Sequence, residues 1–251
     1  MRVLVITGAG VSAESGIPTF RGKDGYWRNL DPTKLATPEA FARDPNLIWD
    51  WYRERRQRIR KAQPNPAHQA IVKLAAQAGE FLLVTQNVDD LHLRAGLPAE
   101  KMVQIHGDIF MTRCSRCDFR RYEHEREHQH DDGNPPKCPK CGVFMRPGVV
   151  WFGEQLDLAK IATVENFLNG DDCDLVIVAG TTALFGYIID WSLRARGQAG
   201  QLIEVNPEET SLSQFATNSF REPAGVALPR LVNELVGDLA PDRLRRASPY
   251  R

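Results

Sequence analysis

Short apolar runs alternate along the chain with longer segments that have helical spacing, and this alternation predicts an α/β fold. Each run has the length of a strand that helices cover on both faces, as in a parallel sheet. The runs lie at residues 3–6, 81–85, 102–105, 174–179 and 201–205. Another short strand is expected near residues 225–228, and a terminal helix is expected to begin around Pro229. Such a series is typical of a doubly wound parallel sheet of the Rossmann type.

Helix signals occupy the long segment between the first two strands. Thr37-Pro38-Glu39 supplies an N-cap, a first-turn proline and an acid, so residues 37–62 are expected to be helical. Gln63-Pro64 ends that stretch. Asn65-Pro66 then predicts a second helix, which ends at Gly79.

Glycines follow the first strand. Gly8, Gly10 and Ala13 fit the spacing G-x-G-x-x-G/A of a dinucleotide-binding turn. A Cβ at either glycine would block a tight turn or the close approach of backbone N–H groups to a phosphate. A helix expected to open at Ser12 would add its positive end. Because paired glycines also occur in plain tight turns, this stretch alone does not establish a nucleotide site.

Small or polar residues also follow three other strands. These segments are residues 86–89, 180–182 and 206–208. Because the carboxyl ends of parallel strands line one edge of a sheet, we expect a crevice there that is sized for a dinucleotide. No acid lies plainly at the end of a second strand about twenty residues after the glycines, where a dehydrogenase holds the ribose. That departure disfavours hydride transfer.

Four of the five cysteines form two Cys-x-x-Cys pairs. They are Cys114, Cys117, Cys138 and Cys141. This spacing predicts one structural Zn²⁺, and four thiolates leave the metal no open position for chemistry. The three histidines between the pairs, His124, His128 and His130, could offer substitute ligands or belong to a solvated charged hairpin or loop.

Composition narrows the choice of partners and location. The chain has 251 residues, and Lys+Arg and Asp+Glu both number 32, so there is no global basic field for nucleic acid. No apolar run approaches the roughly 20 residues that span a bilayer, and no signal peptide precedes the first strand. We therefore expect a cytoplasmic monomer, in a compartment where thiols stay reduced and bind metal.

Five motifs, in order along the chain, resemble the sirtuins, which are NAD-dependent protein lysine deacylases. They are Gly8-Ala9-Gly10-Val11-Ser12 with Gly16-Ile17-Pro18-Thr19-Phe20-Arg21, Thr85-Gln86-Asn87-Val88-Asp89, His106-Gly107, the paired Cys-x-x-Cys, and Arg146-Pro147-x-Val149-Val150-Trp151-Phe152-Gly153-Glu154. The resemblance implies a Rossmann-type NAD-binding domain and a smaller domain, with acyl-lysine of a protein substrate bound between them. The large domain would comprise residues 1–28, 65–108 and 150–251, and the small one would have a helical part at 29–64 and a zinc part at 109–149.

The resemblance also implies a reaction and its catalytic residues. The acyl oxygen attacks C1′ of the nicotinamide ribose and expels nicotinamide, giving an alkylimidate. His106 then acts as the base that activates a ribose hydroxyl, which attacks the imidate carbon, and water completes the step to free lysine and 2′-O-acyl-ADP-ribose. Asn87 and Asp89 would orient the nicotinamide ribose and amide, while Phe20 and Arg21 close over NAD.

Further binding residues follow from the same resemblance. The remaining expected NAD contacts are Gly8, Ala9, Gly10, Ser12, Ala13, Thr19, Trp27, Gln86, Val88, Gly180, Thr181, Thr182, Asn206, Pro207, Glu208 and Ala224. Val150 and the segment Phe152-Gly153-Glu154 would hold the substrate peptide, which pairs as an added strand.

Tyr52 and Arg55 lie three residues apart and share a helix face. At this place Tyr-x-x-Arg resembles the class III sirtuins, which prefer malonyl- and succinyl-lysine, and Ala36 matches the small residue that leaves room for the longer acyl chain. We therefore expect desuccinylase and demalonylase activity with weaker deacetylase activity. Two departures from the family are Thr182 in place of a serine and Gly186 where a proline is usual. The alternatives are a plain deacetylase, a protein ADP-ribosyltransferase and a non-catalytic NAD or ADP-ribose sensor.

Overall fold

The computed structural model describes residues 1–19, 31–122 and 134–238. Its strands, in chain order, are β1 (Arg2–Thr7), β2 (Glu80–Thr85), β3 (Met102–Gln104), β4 (Gly107–Cys114), β5 (Arg120–Tyr122), β6 (Met145–Val149), β7 (Leu175–Ala179), β8 (Gln201–Val205) and β9 (Asn218–Phe220). Its helices are α1 (Gly10–Ala13), α2 (Pro32–Leu35), α3 (Pro38–Arg43), α4 (Pro45–Lys61), α5 (Pro66–Gln77), α6 (Leu91–Arg94), α7 (Leu158–Leu168), α8 (Gly186–Arg196) and α9 (Ala224–Asp238). Short 3₁₀ turns occur at Ala99–Lys101 and Ser213–Phe215.

Six of these strands form one parallel sheet in the order β3-β2-β1-β7-β8-β9. The chain moves outward from β1 to β3, then returns to the other side of β1 with β7. This reversal is the switch point of a doubly wound Rossmann sheet, beside which such folds bind ligands. The predicted fold class is confirmed.

Burial on both faces explains the continuous apolar runs. Along β1, Val3 and Val5 pack into the cluster formed with α5 and α9, whereas Leu4 and Ile6 pack into the cluster formed with α7 and α8. All four side chains are fully buried. Since neither face meets water, the strand has no polar alternation.

A smaller unit is inserted into this sheet at two places. Helices α2 to α4 lie between β1 and β2, and an antiparallel sheet in the order β5-β4-β6 lies between β3 and α7. Buried Trp49, Trp51, Ile109 and Trp151 join the two insertions. The guanidinium of Arg56 reinforces that contact, since its Nε donates to the carbonyl of Ile109 at 2.6 Å.

The stretch expected to be helical over 37–62 divides into two helices. Thr37 caps α3 as predicted, but Asp44 begins a new helix by accepting from the N–H of Leu47 at 3.0 Å. Pro45 follows Asp44 at the first position of α4, where a proline costs no helical hydrogen bond.

Among the helices of the described ranges, none is long and apolar enough to cross a bilayer.

The prediction of a strand near residues 225–228 is wrong, because these residues belong to α9. Pro229 lies inside this helix rather than at its start, and the helix forgoes only the hydrogen bond that proline cannot donate. The buried residues are spaced by three and four, as helix packing requires. They are Ala224, Ala227, Leu228, Leu231 and Val232. The sixth strand is instead β9, whose sequence Asn-Ser-Phe gives no apolar run.

Candidate active site

The carboxyl ends of β1 and β7 meet at the switch point through glycines. The N–H of Gly8 donates to the carbonyl of Ala179 at 3.0 Å, and that of Gly10 donates to the carbonyl of Gly180 at 2.8 Å. A Cβ on Gly8 or Gly10 would lie only 2.7 or 2.8 Å from backbone atoms of Gly180. The tight turn therefore explains both glycines, and their own N–H groups are already engaged within the chain. Helix α1 begins at Gly10, two residues earlier than expected.

Gln86 ties three strand ends together. Its backbone N–H donates to the carbonyl of Thr7 at 2.8 Å, and its side-chain Nε2 donates to the hydroxyl of Thr181 at 3.0 Å. Thr7 ends β1, Gln86 follows β2 and Thr181 follows β7. The structure thus brings together the polar strand ends that the sequence placed at one edge.

Behind this edge lies a buried polar network. The Asn87 side chain donates to the hydroxyl of Ser12 at 3.0 Å, and Ser12 donates to a carboxylate oxygen of Asp89 at 2.9 Å. Asn87 and Asp89 are only 6% and 5% exposed, and burial raises the pKa of Asp89. The other carboxylate oxygen of Asp89 accepts from the N–H of Leu91 at 3.1 Å. This network fixes the side chains of Ser12, Asn87 and Asp89 beside the switch point.

His106 follows β3 at the same edge of the sheet. Its Nδ1 lies 3.0 Å from the carbonyl oxygen of Gln86, which can only accept, so Nδ1 carries the proton and Nε2 is the bare nitrogen. The pKa of His106 is lowered from 6.5 to about 4, chiefly by burial; the charge of Lys160 adds to this lowering, and the hydrogen bond to the Gln86 carbonyl opposes it. The imidazole is therefore neutral near pH 7 and available as a base.

Residues 150–154, which follow β6, form one wall of the candidate site near His106. The N–H of Val150 donates to the carbonyl of His106 at 2.8 Å, and that of Phe152 donates to the carbonyl of Ala36 at 2.9 Å. Glu154 stabilises the segment by accepting from the N–H of Trp151 and pairing with the Arg146 guanidinium. Since the N–H groups of Phe152 and Glu154 are both engaged within the chain, a peptide strand added here would pair with the remaining backbone groups.

The residues predicted to contact the acyl group, Ala36, Tyr52 and Arg55, lie next to this segment. The Trp151 indole N–H donates to the Tyr52 hydroxyl at 2.9 Å, and Tyr52 is 3% exposed. Burial raises the pKa of Tyr52 to about 12, so the phenol keeps its proton. Burial lowers the pKa of Arg55, and attraction to Tyr52 and Asp89 partly offsets this. Ala36 is buried and contacts the same wall through Phe152.

The remaining predicted contacts extend along the sheet edge or leave the described ranges. Asn206 follows β8, and its side chain donates to the carbonyl of Glu208 at 2.9 Å. The other predicted contacts lie on or near neighbouring strand ends and helix ends: Ala9, Ala13, Val88, Gly180, Thr182, Pro207 and Ala224. Thr19 is the last described residue before a gap. The predictions for Phe20, Arg21, Trp27, His124, His128 and His130 lie outside the described residues.

The four paired cysteines come together as one cluster. The Sγ atoms of Cys114, Cys117, Cys138 and Cys141 all lie within 4.8 Å of one another. Tetrahedral zinc with Zn–S bonds of about 2.3 Å needs sulfurs about 3.8 Å apart, and the Cys114–Cys141 and Cys117–Cys138 pairs lie at 3.4 and 3.6 Å. Backbone N–H groups of Cys117 and Arg116 lower the pKa of Cys114 and favour its thiolate, whereas hydrogen bonds with neighbouring thiols help to raise the pKa of Cys117 and Cys141. The donor set fits one structural zinc ion.

Two residues near His106, Tyr187 and Lys160, were not predicted from the sequence to belong to the site. The Tyr187 hydroxyl lies 2.8 Å from Nε2 of His106, and the Lys160 ammonium donates to the carbonyl of Gln104 at 2.6 Å. Tyr187 is 81 residues from His106 in sequence. The only available signal was the departure from the family pattern at Gly186, which does not by itself indicate a contact.

The family model and the related sequences all match the same family of proteins. A family model described as the Sir2 family matches residues 8–185. A protein of Aquifex aeolicus named NAD-dependent protein deacylase is 43% identical over 235 residues, covering 94% of this chain and 95% of that protein. A protein of Pyrococcus abyssi with the same name is 44% identical over 236 residues, covering 92% of each.

Solved structures agree with the sequence comparison. A Sir2 homologue in complex with NAD superposes with a TM-score of 0.85 at 42% identity, covering 95% of this chain and 91% of that one. A complex of Sir2 with a p53 peptide and NAD⁺ gives a TM-score of 0.79 at 28% identity, covering 94% and 93%.

Proposed function

The chain belongs to the Sir2 family and is an NAD-dependent protein deacylase, and we propose that malonyl- and succinyl-lysine are its preferred substrates. The observation that carries the proposed site is the neutral His106, held at the carboxyl edge of the sheet with Nε2 unprotonated. NAD is a co-substrate in this reaction, and its nicotinamide ribose would lie beside His106, Asn87 and Asp89. Since zinc thiolates require reduced cysteines, the cytoplasm is the compartment that suits this protein.

In the proposed reaction, His106 works after nicotinamide has left. The acyl oxygen takes the place of nicotinamide at C1′ of the ribose, and His106 then accepts a proton as a ribose hydroxyl attacks the acyl carbon. A neutral imidazole can accept that proton, whereas an imidazolium cannot. Asn87 and Asp89 would orient the ribose and the amide, and the ordered network with Ser12 pre-sets their positions. The thiolates of Cys114, Cys117, Cys138 and Cys141 would hold zinc, which stabilises the lobe and takes no part in the chemistry.

The preference for an acidic acyl group is inferred from Tyr52 and Arg55. Both lie on the same face of α4, and the Trp151 indole holds the Tyr52 hydroxyl in place. A distal carboxylate that met this guanidinium and phenol would gain charge-assisted hydrogen bonds of about 1.5–3 kcal/mol. Acetyl-lysine has no such carboxylate and would gain nothing from Arg55.

We expect Arg55→Met to lower kcat/KM on succinyl and malonyl peptides by roughly 10- to 150-fold, the equivalent of that interaction energy. The value on acetyl peptide should change little, because the substituted methionine still fills the space beside Tyr52. Steady-state kinetics on matched peptides measures both.

Arg58→Met is the matched control for this experiment. Arg58 lies one turn further along α4, is half exposed and pairs with Glu54 at 3.5 Å, so its loss should leave all three substrates unaffected. Equal losses on succinyl and acetyl peptides in the Arg55 variant would refute the acidic acyl preference.

A further inference from the structure

The Nε2 atom of His106, which the proposed reaction uses as its base, already has a partner in the protein. Because Nδ1 carries the ring proton, Nε2 can only accept, and the Tyr187 hydroxyl 2.8 Å away must be the donor. Burial raises the pKa of Tyr187 above its ordinary value, so the phenol keeps the proton that it donates. The base and the phenol therefore form one hydrogen-bonded pair.

Tyr187 is held in place by its surroundings. It is the second residue of α8, and the next residue, Ile188, is fully buried in the core. Its ring stacks on Phe185 at an interplanar angle of 10° and lies 4.7 Å, centroid to centroid, from Trp191. Phe185 also contacts His106 edge to face, with centroids 5.5 Å apart. Phe185 is 41% exposed, so the contact with Trp191 and the anchoring of the backbone at Ile188 are what hold the phenol beside Nε2.

A neutral imidazole has one lone pair on Nε2, and here Tyr187 occupies it. A ribose hydroxyl cannot donate to the same lone pair while Tyr187 stays, but it can donate to the phenol oxygen, which has lone pairs of its own. On the basis of the proposed function, we propose that Tyr187 relays the ribose proton to His106. As the ribose oxygen attacks the acyl carbon, its O–H bond breaks and a new Tyr187 O–H bond forms. The original Tyr187 proton moves to Nε2, so the phenol is regenerated and His106 becomes the imidazolium.

Tyr187→Phe tests this relay, because it removes the hydroxyl and keeps the stacked ring. We expect formation of acyl-ADP-ribose to fall by about 10²-fold, the lower end of the range for general acid–base catalysis. Exchange of labelled nicotinamide into NAD in the presence of acyl peptide should change little, because nicotinamide leaves before the base acts. The KM values for NAD and peptide should also stay near those of the wild type.

The pH profile gives a second readout that a merely structural role would not move. The titratable and charged groups that face His106 within the described residues are Tyr187 on α8 and Lys160 on α7. A donor to the neutral imidazole disfavours its protonation, so Tyr187→Phe should raise the pKa of His106 and shift the acid limb of kcat/KM to higher pH.

Tyr122→Phe is the matched control, since Tyr122 is 51% exposed on β5 and should tolerate the same change without effect. If Tyr187→Phe forms acyl-ADP-ribose at the wild-type rate, the relay is overturned. The ribose hydroxyl of the wild type would then displace the Tyr187 hydroxyl and donate directly to His106. A parallel fall in nicotinamide exchange would also overturn it, in favour of a packing role. Absence of nicotinamide release from the wild type would instead refute the proposed function.

Discussion

His106→Asn is expected to lower the rate of acyl-ADP-ribose formation by about 10²–10⁴-fold, the usual contribution of a general base. Asparagine retains a donor toward the Gln86 carbonyl but has no nitrogen lone pair that accepts a proton. Nicotinamide exchange should persist, because the base is required only after nicotinamide has left. Product analysis of matched wild-type and variant reactions measures the two steps separately, and equal loss of both would contradict the assignment of His106.

The pH dependence of the wild type supplies an independent check on His106. Its pKa is lowered to about 4, chiefly by burial, so the imidazole stays unprotonated well below its ordinary value of 6.5. Activity that depends on the neutral base is therefore lost only as pH falls through about 4. We expect the acid limb of kcat/KM near that value, and a limb centred at 6.5 would contradict the buried, neutral histidine.

Removal of zinc is expected to unfold the β5-β4-β6 sheet and to abolish activity. The buried cluster at the cysteine end of this lobe is small: Cys114, Cys138 and Met145, with a few partly buried neighbours; Ile109 and Val149 at the other end pack instead on the helical insertion. Structural zinc sites supply roughly 10–16 kcal/mol of apparent binding energy in small domains, far more than this core can replace. Activity is lost because Met145 is followed on β6 by Arg146, whose ion pair with Glu154 stabilises the wall at residues 150–154. Chelator titration followed by thermal unfolding and zinc analysis measures the effect.

Cys138→Ser should reproduce the loss of zinc, with Cys173→Ser as its matched control. Cys173 is equally buried but lies under the parallel sheet, outside the zinc cluster. All five cysteines belong to the described part of the chain, and none of them forms a disulfide there. A chelated protein that keeps its melting temperature and activity would refute the structural role of the metal.

Features that depend on local sequence were predictable. Strands β1, β2, β7 and β8 are buried on both faces, so their apolar runs identify them directly, whereas the mostly exposed β9 has no such run. Thr37 and Asn65 cap helices where the sequence places them. The Cys-x-x-Cys pairs were equally clear, because each tight turn brings two thiols together whatever the rest of the fold does. Asp44 escaped notice because a cap inside a helical stretch resembles any other surface acid.

Features that depend on distant contacts were not predictable. For Gly8 the sequence left a tight turn and a phosphate approach as alternatives, and the contacts that explain this glycine are with the end of β7, about 170 residues away in the chain. Tyr187 gives no local signal of its bond to His106, which requires β3 and α8 to meet at the sheet edge. Pro229 led to the wrong prediction of a helix start, because proline is common in the first turn of a helix. Within α9 it is tolerated, since the apolar face of the helix is buried on both sides of the proline.

Mass spectrometry of the products from NAD and an equimolar mixture of acetyl, malonyl and succinyl peptides tests the central claim most directly. We predict free lysine peptide, nicotinamide and acyl-ADP-ribose, with malonyl- and succinyl-ADP-ribose formed ahead of acetyl-ADP-ribose. Acetyl-ADP-ribose alone would contradict the acyl preference. ADP-ribose attached to protein, or NAD left intact with every peptide, would contradict the assignment of this site as a deacylase.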